Sequence, residues 1–338
     1  MNPSGNDQQP ILEARNLSKE FHTGGAFTGG TVKAVQGASF KLYRGHVVAL
    51  VGESGSGKST IVRMLARLYD PTEGDILYEG ENVLEQRGRR ALLDYRSKVQ
   101  MVFQDPFSSL NPVHRASHAV QRPLKIYDKA RGRGALRQKL IELFELVSLT
   151  PADEFIEKYP HQLSGGQRQR IAIARALAAE PEVILADEPV SMLDVSIRLG
   201  ILNLMADLRE KQGIGFLYVT HDLASARYFS DEILVMYAGY IVEQASSEEL
   251  ISNPKHPYTQ MLLAAVPDPS RGLKTEDADV QGEIPDLTDL GSGCPFAPRC
   301  KHVMDVCHEA MPGPTRLEDE RWVRCYLYEE GVSEAIAR

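Results

Sequence analysis

The run Gly52-Glu53-Ser54-Gly55-Ser56-Gly57-Lys58-Ser59-Thr60 has the spacing G-x-x-x-x-G-K-[ST]. Glycines at those positions let a backbone bend around phosphate oxygens with its N–H groups pointing inward. A helix that begins at the lysine adds a favourable dipole. In such a loop Lys58 reaches the β- and γ-phosphates of a nucleotide, and Ser59 ligates Mg²⁺. Further along, Val183-Ile184-Leu185-Ala186 is an apolar run that ends in two acids, Asp187 and Glu188. Beside a phosphate loop, Asp187 belongs near Mg²⁺, and Glu188 can polarise the water that attacks the terminal phosphate. Taken singly, the first is a glycine-rich turn and the second a surface acidic pair. The loop alone names a nucleotide; the acids add hydrolysis.

Elements must hold these groups together. Val47 to Val51 is a short continuous apolar run, as expected of a strand buried on both faces, and it leads into the loop. Lys58 to Leu68 has helical spacing. Ile11 to Ala14 and Val32 to Leu42 read as strands, residues 75–83 as a hairpin arm, and Val99 to Phe103 as another strand. Strand and helix signals then alternate: helix Gly166–Ala179, strand Val183–Ala186, helix Ser196–Gln212, strand Gly215–Val219, and a last hairpin at 231–245. Such alternation predicts a mostly parallel sheet with covering helices. Residues 106–160 interrupt it with Pro, His and Arg, and with the helical pattern of 134–147, which predicts a helical subdomain.

Leu163-Ser164-Gly165-Gly166-Gln167, inside HQLSGGQRQRIAIARAL, makes the reading specific. With it, the chain resembles the nucleotide-binding subunits of ATP-binding cassette (ABC) transporters. The resemblance implies an α/β P-loop NTPase cassette over 11–250. Its parts are a mostly parallel core sheet, an antiparallel β subdomain and a helical subdomain at about 106–165. It also implies head-to-tail dimers, in which Ser164, Gly165, Gly166 and Gln167 close on the ATP held by the partner cassette. The remaining family positions follow. Gln104 matches the glutamine that senses Mg²⁺ and the attacking water. Ser191-Met192-Leu193-Asp194 matches the loop carrying Asp194, with Met192 where Ala or Gly is usual. His221 matches the histidine that contacts the γ-phosphate. Phe21 resembles the aromatic that stacks on adenine, with a core phenylalanine as the alternative.

Val102-Phe103-Gln104-Asp105-Pro106-Phe107-Ser108-Ser109-Leu110-Asn111-Pro112 resembles the dipeptide and oligopeptide importer branch of that family. Asn253-Pro254-Lys255-His256-Pro257-Tyr258-Thr259 and Leu262 to Pro267 point the same way. The likeness spans about residues 11–326. It implies a second, related ATPase subunit, two membrane permeases and an external solute-binding protein. Some members of the branch carry oligosaccharides or nickel instead of peptides. The basic stretch 114–139 reads as a solvated face of the helical subdomain where permeases dock.

All four cysteines, Cys294, Cys300, Cys307 and Cys325, lie in a C-terminal extension over 251–330, spaced C-x₅-C-x₆-C-x₁₇-C. Disulfides are disfavoured in a reducing compartment. Four thiolates could hold zinc or a 4Fe-4S cluster. The C-x₂-C pairs usual for zinc are absent, and similar extensions in peptide-importer cassettes are associated with an iron–sulfur cluster. The resemblance therefore favours the cluster, with zinc as the alternative.

Composition sets the outer limits. The chain has 338 residues, with 38 basic and 46 acidic side chains for a formal charge of −8. The length suggests about two domains of roughly 150 residues. The acidic balance argues against nucleic acid as the main partner, and so against a soluble ABC ATPase acting on DNA or ribosomes. No apolar run approaches the ~18 residues of a spanning helix, and the first thirty residues lack a signal peptide's pattern. The expected place is the cytoplasmic face of the inner or plasma membrane, as a peripheral subunit.

Overall fold

The computed structural model describes residues 9–23, 30–105, 110–265, 287–288, 290–317 and 321–329. Pro106 to Ser109 of the importer-like stretch, and Val266 and Pro267, lie outside the described residues. The chain begins with strands β1 (Leu12–Thr23), β2 (Gly30–Leu42) and β3 (Val47–Val51), then helix α1 (Lys58–Leu65). Strands β4 (Glu73–Tyr78) and β5 (Glu81–Asn82), helix α2 (Arg89–Lys98) and strand β6 (Val99–Val102) follow. Helices α3 (Ala116–Ile126), α4 (Arg133–Leu146) and α5 (Ala152–Glu157) form an insertion. The alternation resumes with α6 (Gly165–Leu177), β7 (Val183–Asp187), α7 (Val195–Gln212), β8 (Gly215–Thr220) and α8 (Leu223–Phe229). Then come β9 (Glu232–Tyr237), β10 (Tyr240–Ser246), α9 (Ser247–Ser252) and α10 (Pro257–Ala264). The extension supplies α11 (Val306–Glu309), β11 (Thr315–Arg316) and β12 (Trp322–Val323).

These elements make two sheets. One is antiparallel, in the order β2-β1-β4-β5. The other runs β11-β12-β10-β9-β3-β8-β7-β6, with β9, β3, β8, β7 and β6 parallel and the β10 edge antiparallel. Every residue of β3, β7 and β8 is buried. The two-residue period divides their side chains between two cores. Val47, Ala49, Val51, Ile184, Ala186, Phe216 and Tyr218 join the helical insertion on one face, where Val120, Leu124, Leu140 and Phe144 pack. Val48, Leu50, Val183, Leu185, Leu217 and Val219 join α1 and the antiparallel sheet on the other. This arrangement explains why the strands read as unbroken apolar runs rather than alternating ones. Among the described residues no helix is long and apolar enough to cross a membrane.

The carboxyl ends of adjacent parallel strands gather the candidate residues. β3 ends one residue before Gly52, β6 two residues before Gln104, β7 at Asp187 and β8 one residue before His221. A crevice beyond the carboxyl ends of such strands is where α/β sheets bind ligands.

Several boundaries differ from the sequence expectation. The helix expected to reach Leu68 stops at Leu65, because Arg67 takes a positive φ of 55°. The strand expected to reach Phe103 stops at Val102, and the helix expected over 166–179 runs from Gly165 to Leu177. Helix α2 had no sequence signal, since Tyr95 is its one buried residue. β11 and β12, two residues each, were also unexpected; they continue the main sheet through the Glu243↔Val323 and Gln244↔Trp322 pairs.

Candidate functional site

The loop between β3 and α1 is shaped by what its neighbours leave no room for. A Cβ on Gly52 would lie 2.1 Å from the Met236 carbonyl oxygen. A Cβ on Gly57, at φ +108°, would lie 2.1 Å from the Ala34 oxygen and 2.7 Å from Met236 Cε. Ser54 and Gly55 form the exposed tip, and the Thr60 and Ile61 N–H groups turn back to the Gly57 oxygen as α1 begins. Lys58 lies inside the loop: its ammonium donates to the Gly52 oxygen at 2.8 Å and the Glu53 oxygen at 2.7 Å. Burial pushes the Lys58 ammonium below its usual range, while Glu188, Asp187 and Glu53 pull it back up.

Ser59 and Asp187 meet directly. Ser59 Oγ donates to Asp187 Oδ1 at 3.0 Å across the β3–β7 interval. Asp187 is almost fully buried, and burial pushes its carboxyl above the usual range against the pull of Ser59, Arg63 and Lys58. A buried carboxylate beside a hydroxyl is a donor set suited to Mg²⁺.

Glu188 is the point of convergence. Its carboxylate accepts from Gln104 Nε2 at 3.0 Å, and His221 Nδ1 stands 3.4 Å away. Its backbone sits at φ +45°, a region that bulky residues rarely occupy. It persists there because its N–H donates to the Val219 oxygen and its own oxygen accepts from Ser191. Strain held in place by surrounding bonds in this way is typical of functional positions.

The other predicted residues stand apart from this cluster. Ser164 caps α6: its Oγ accepts from Gln167 N–H, and Gln167 Oε1 accepts from Ser164 N–H, a reciprocal capping box. Gly165 opens that helix, and a Cβ on Gly166 would meet Ile197 Cγ2 at 2.6 Å. Asp194 is exposed at the start of α7, and Met192 beside it is 54% exposed. Arg198 clamps this loop by donating to the Leu193 and Ser191 oxygens. Phe21 lies half-buried on β1, edge-on to Tyr69 at 5.6 Å between ring centres, with the Lys19 ammonium 5.3 Å away.

The four cysteines line one pocket together with Phe296 and Tyr326. All are free thiols. Burial and the neighbouring sulfurs push Cys294 up to about 11 and Cys325 up to about 12, and raise Cys300 as well. Among the described residues no three His, Cys, Asp or Glu side chains are gathered closely enough to ligate a single metal ion.

Sequence reasoning missed a second layer of residues around the loop. Tyr258 Oη accepts from the Glu53 N–H at 2.9 Å, and Arg299 pairs with the Glu53 carboxylate. Glu243, fully buried in β10, accepts from the Lys255 and His256 N–H groups and from Arg321. His256 Nδ1 in turn accepts from Tyr258 N–H at 3.0 Å. The Asn253–Thr259 segment is thus wired at one end to β10 and at the other to the phosphate loop.

Comparison with known proteins follows the same division. Residues 35–191 match the ABC transporter family model, and residues 242–307 match the oligopeptide/dipeptide transporter C-terminal region. The dipeptide transport ATP-binding protein DppF of Haemophilus influenzae is 42% identical over 95% of this chain and 97% of its own. The oligopeptide transport ATP-binding protein AppF of Bacillus subtilis is 43% identical over 95% and 98%. Among solved structures, the dimeric ATP-binding cassette MJ0796 bound to ADP and Pi superposes with a TM-score of 0.62 at 31% identity. It covers 70% of this chain and 99% of that one.

Proposed function

Since the chain belongs to the ABC transporter family of ATP-binding proteins, we propose that the cluster on Glu188 is its hydrolytic centre. The chain is the ATP-binding, ATP-hydrolysing subunit of a dipeptide or oligopeptide importer. The observation that carries the assignment of the centre is the convergence of Gln104 and His221 on Glu188, next to the Ser59–Asp187 pair.

In this reading the Gly52–Thr60 loop grips the phosphates and Lys58 leaves its loop carbonyls for the β- and γ-phosphate oxygens. Mg²⁺ would be held by Ser59, Asp187 and Gln104, and supplies charge neutralisation at the transferred phosphoryl group. Glu188 orients the attacking water and takes its proton. His221 contacts the γ-phosphate, and Phe21 stacks on adenine. Ser164, Gly165, Gly166 and Gln167 present a 13-residue helix's N-terminus to the nucleotide on a partner cassette, with Asp194 beside that junction. ATP that binds across two cassettes favours the closed dimer, and this difference in affinity shifts the attached permeases.

The chain divides functionally into a cassette over 11–250 and an extension over 251–330. The chain sits peripherally at the cytoplasmic face of the membrane, and its partners are a related second ATPase subunit, two transmembrane permeases and an external solute-binding protein. His114, Arg115, His118, Gln121 and Arg137 line one groove, and in this reading that groove is where the permeases dock. Cys294, Cys300, Cys307 and Cys325 would hold a 4Fe-4S cluster, which would supply a structural cross-link for an extension with little core of its own. The shared pocket of the four thiols, and the absence of the C-x₂-C pairs usual for zinc, support that choice.

Co-purification and peptide uptake by the reconstituted complex test the assignment. ATP-dependent uptake of di- or oligopeptides is expected. Uptake of only oligosaccharides or nickel would overturn the peptide reading. Four irons per chain in anaerobic samples are expected; one zinc per chain would overturn the cluster.

A further inference from the structure

Arg299 belongs to the extension but acts at the phosphate loop. It sits at the end of the short turn Ala297–Arg299, immediately before Cys300. The turn is pinned on the cysteine side, where Ala297 N–H donates to the Cys294 oxygen at 3.0 Å and Cys300 N–H to the Ala297 oxygen at 3.2 Å. Phe296 packs against Tyr237 and Tyr258, with ring centres 5.3 and 5.6 Å apart. From this base the guanidinium reaches Glu53 with both prongs: Nη1 to Oε2 at 2.9 Å and Nη2 to Oε1 at 3.0 Å. Nη1 also donates to Tyr237 Oη at 3.3 Å, and the side chain is only 3% exposed.

Glu53 is the second residue of the phosphate loop, and each of its polar groups is engaged. Its N–H goes to Tyr258 Oη, its carbonyl takes the Lys58 ammonium, and its carboxylate takes Arg299. Two of those three partners lie beyond residue 250. The carboxylate needs a partner for an electrostatic reason as well. It places a negative charge inside a loop whose ligand is a polyanion, close enough to act on Lys58. Left unpaired, it repels phosphate and is free to swing into the cradle. A planar fork cancels that charge and fixes its direction together, which a lysine's point charge does not.

We infer that Arg299 is a positioning residue of the nucleotide site: from the C-terminal extension it neutralises and orients Glu53, and so presets the phosphate loop for MgATP. The extension is thereby an accessory part of the ATP site as well as an appendage of the cassette. This rests on the reading of Gly52–Thr60 as the ATP loop.

The test is a MgATP titration of the full-length chain in wild type, Lys58→Ala, Arg299→Met, Arg299→Lys, and Arg299→Met combined with Glu53→Gln. Arg299→Met should weaken MgATP binding about tenfold, since it strands a partly buried charge beside the ligand. Arg299→Lys should restore only part of this. The double variant should return to within about threefold of wild type, because the unpaired charge has gone with its partner. In the assembled importer, Arg299→Met should raise the KM for ATP with kcat at saturation unchanged, a split that general loss of structure does not produce. Binding by Arg299→Met within twofold of wild type, while Lys58→Ala fails to bind, overturns this inference alone. A double variant as weak as Arg299→Met also overturns it. A wild-type chain that does not bind MgATP overturns the reading of the loop itself.

Discussion

Replacing Glu188 with Gln separates chemistry from architecture at the proposed hydrolytic centre. The amide has the shape of the carboxylate and keeps an oxygen for the Gln104 Nε2 donor at 3.0 Å. The backbone bonds that hold the residue, to Val219 and from Ser191, do not involve the side chain. The cost of φ +45° is the same for either residue. What is removed is one negative charge and the ability to take a proton. The lost charge has opposing effects on binding: it lessens the support for the Lys58 ammonium but also lessens repulsion of the triphosphate. MgATP affinity should therefore stay within about threefold of wild type. Turnover should not. A positioned general base is worth about 10²–10⁴ in rate, or about 3–5 kcal/mol of barrier. The measurement is phosphate release by the assembled importer beside a MgATP titration of the same protein. Turnover within about fivefold of wild type would refute the role given to Glu188. So would a loss of binding as large as the loss of turnover, which would make the residue architectural. Glu188→Asn is the companion variant. Asn accepts a left-handed backbone more readily, so it should be at least as heat-stable as wild type while equally slow.

Three other outcomes are expected. Gly57→Ala should abolish MgATP binding without unfolding the chain, because a Cβ there meets the Ala34 oxygen at 2.1 Å; a circular-dichroism melt and a titration check both halves. Arg321→Met should leave the fully buried Glu243 without its cation. The loss is about 3–5 kcal/mol and the unfolding midpoint drops by about 4–7 °C; a drop under 2 °C would refute the buried-pair argument. His256, 1% exposed, has its pKa lowered to about 3 by burial. The unfolded chain therefore takes up the proton first, and the stability this residue contributes is present above about 6.5 and lost as pH falls toward 3. Between pH 7 and 5 that loss is about 2 kcal/mol. His256→Asn, which keeps an acceptor for Tyr258 N–H, should lack it; identical pH slopes for the two proteins would count against the assignment.

What was legible in the sequence follows from how local each signal is. The phosphate loop, the Asp187–Glu188 strand end and the Ser164–Gln167 turn each lie within a few consecutive residues, and their physics is short-range: glycine φ angles, helix caps, an apolar run. The parallel strands were readable because burial on both faces removes the alternation that an exposed face would impose, as Val47 to Val51 illustrates. Helix α2 was not readable, since its sequence Arg89–Lys98 is mostly polar and offers one buried side chain. Nor were β11 and β12, whose two residues each carry no period at all.

The contacts that join the extension to the cassette fail to announce themselves for a different reason. Glu53 and Arg299 are 246 positions apart, and neither residue type is unusual where it stands. An arginine beside a cysteine reads as a solvated charge, and a glutamate in a glycine-rich loop reads as filler. Their meaning lies in the pairing, and the pairing exists only because β12 adds to β10 and the Glu243 carboxylate anchors Lys255 and His256. That anchor sets where Tyr258 points, Tyr258 holds the Glu53 N–H, and Phe296 packs between Tyr258 and the turn that carries Arg299. Each step is an ordinary hydrogen bond or ring contact, yet removing an early one should be felt at the phosphate loop. If the chain is sound, Arg321→Met, which touches no part of the nucleotide site, should weaken MgATP binding measurably at temperatures well below its own melting point.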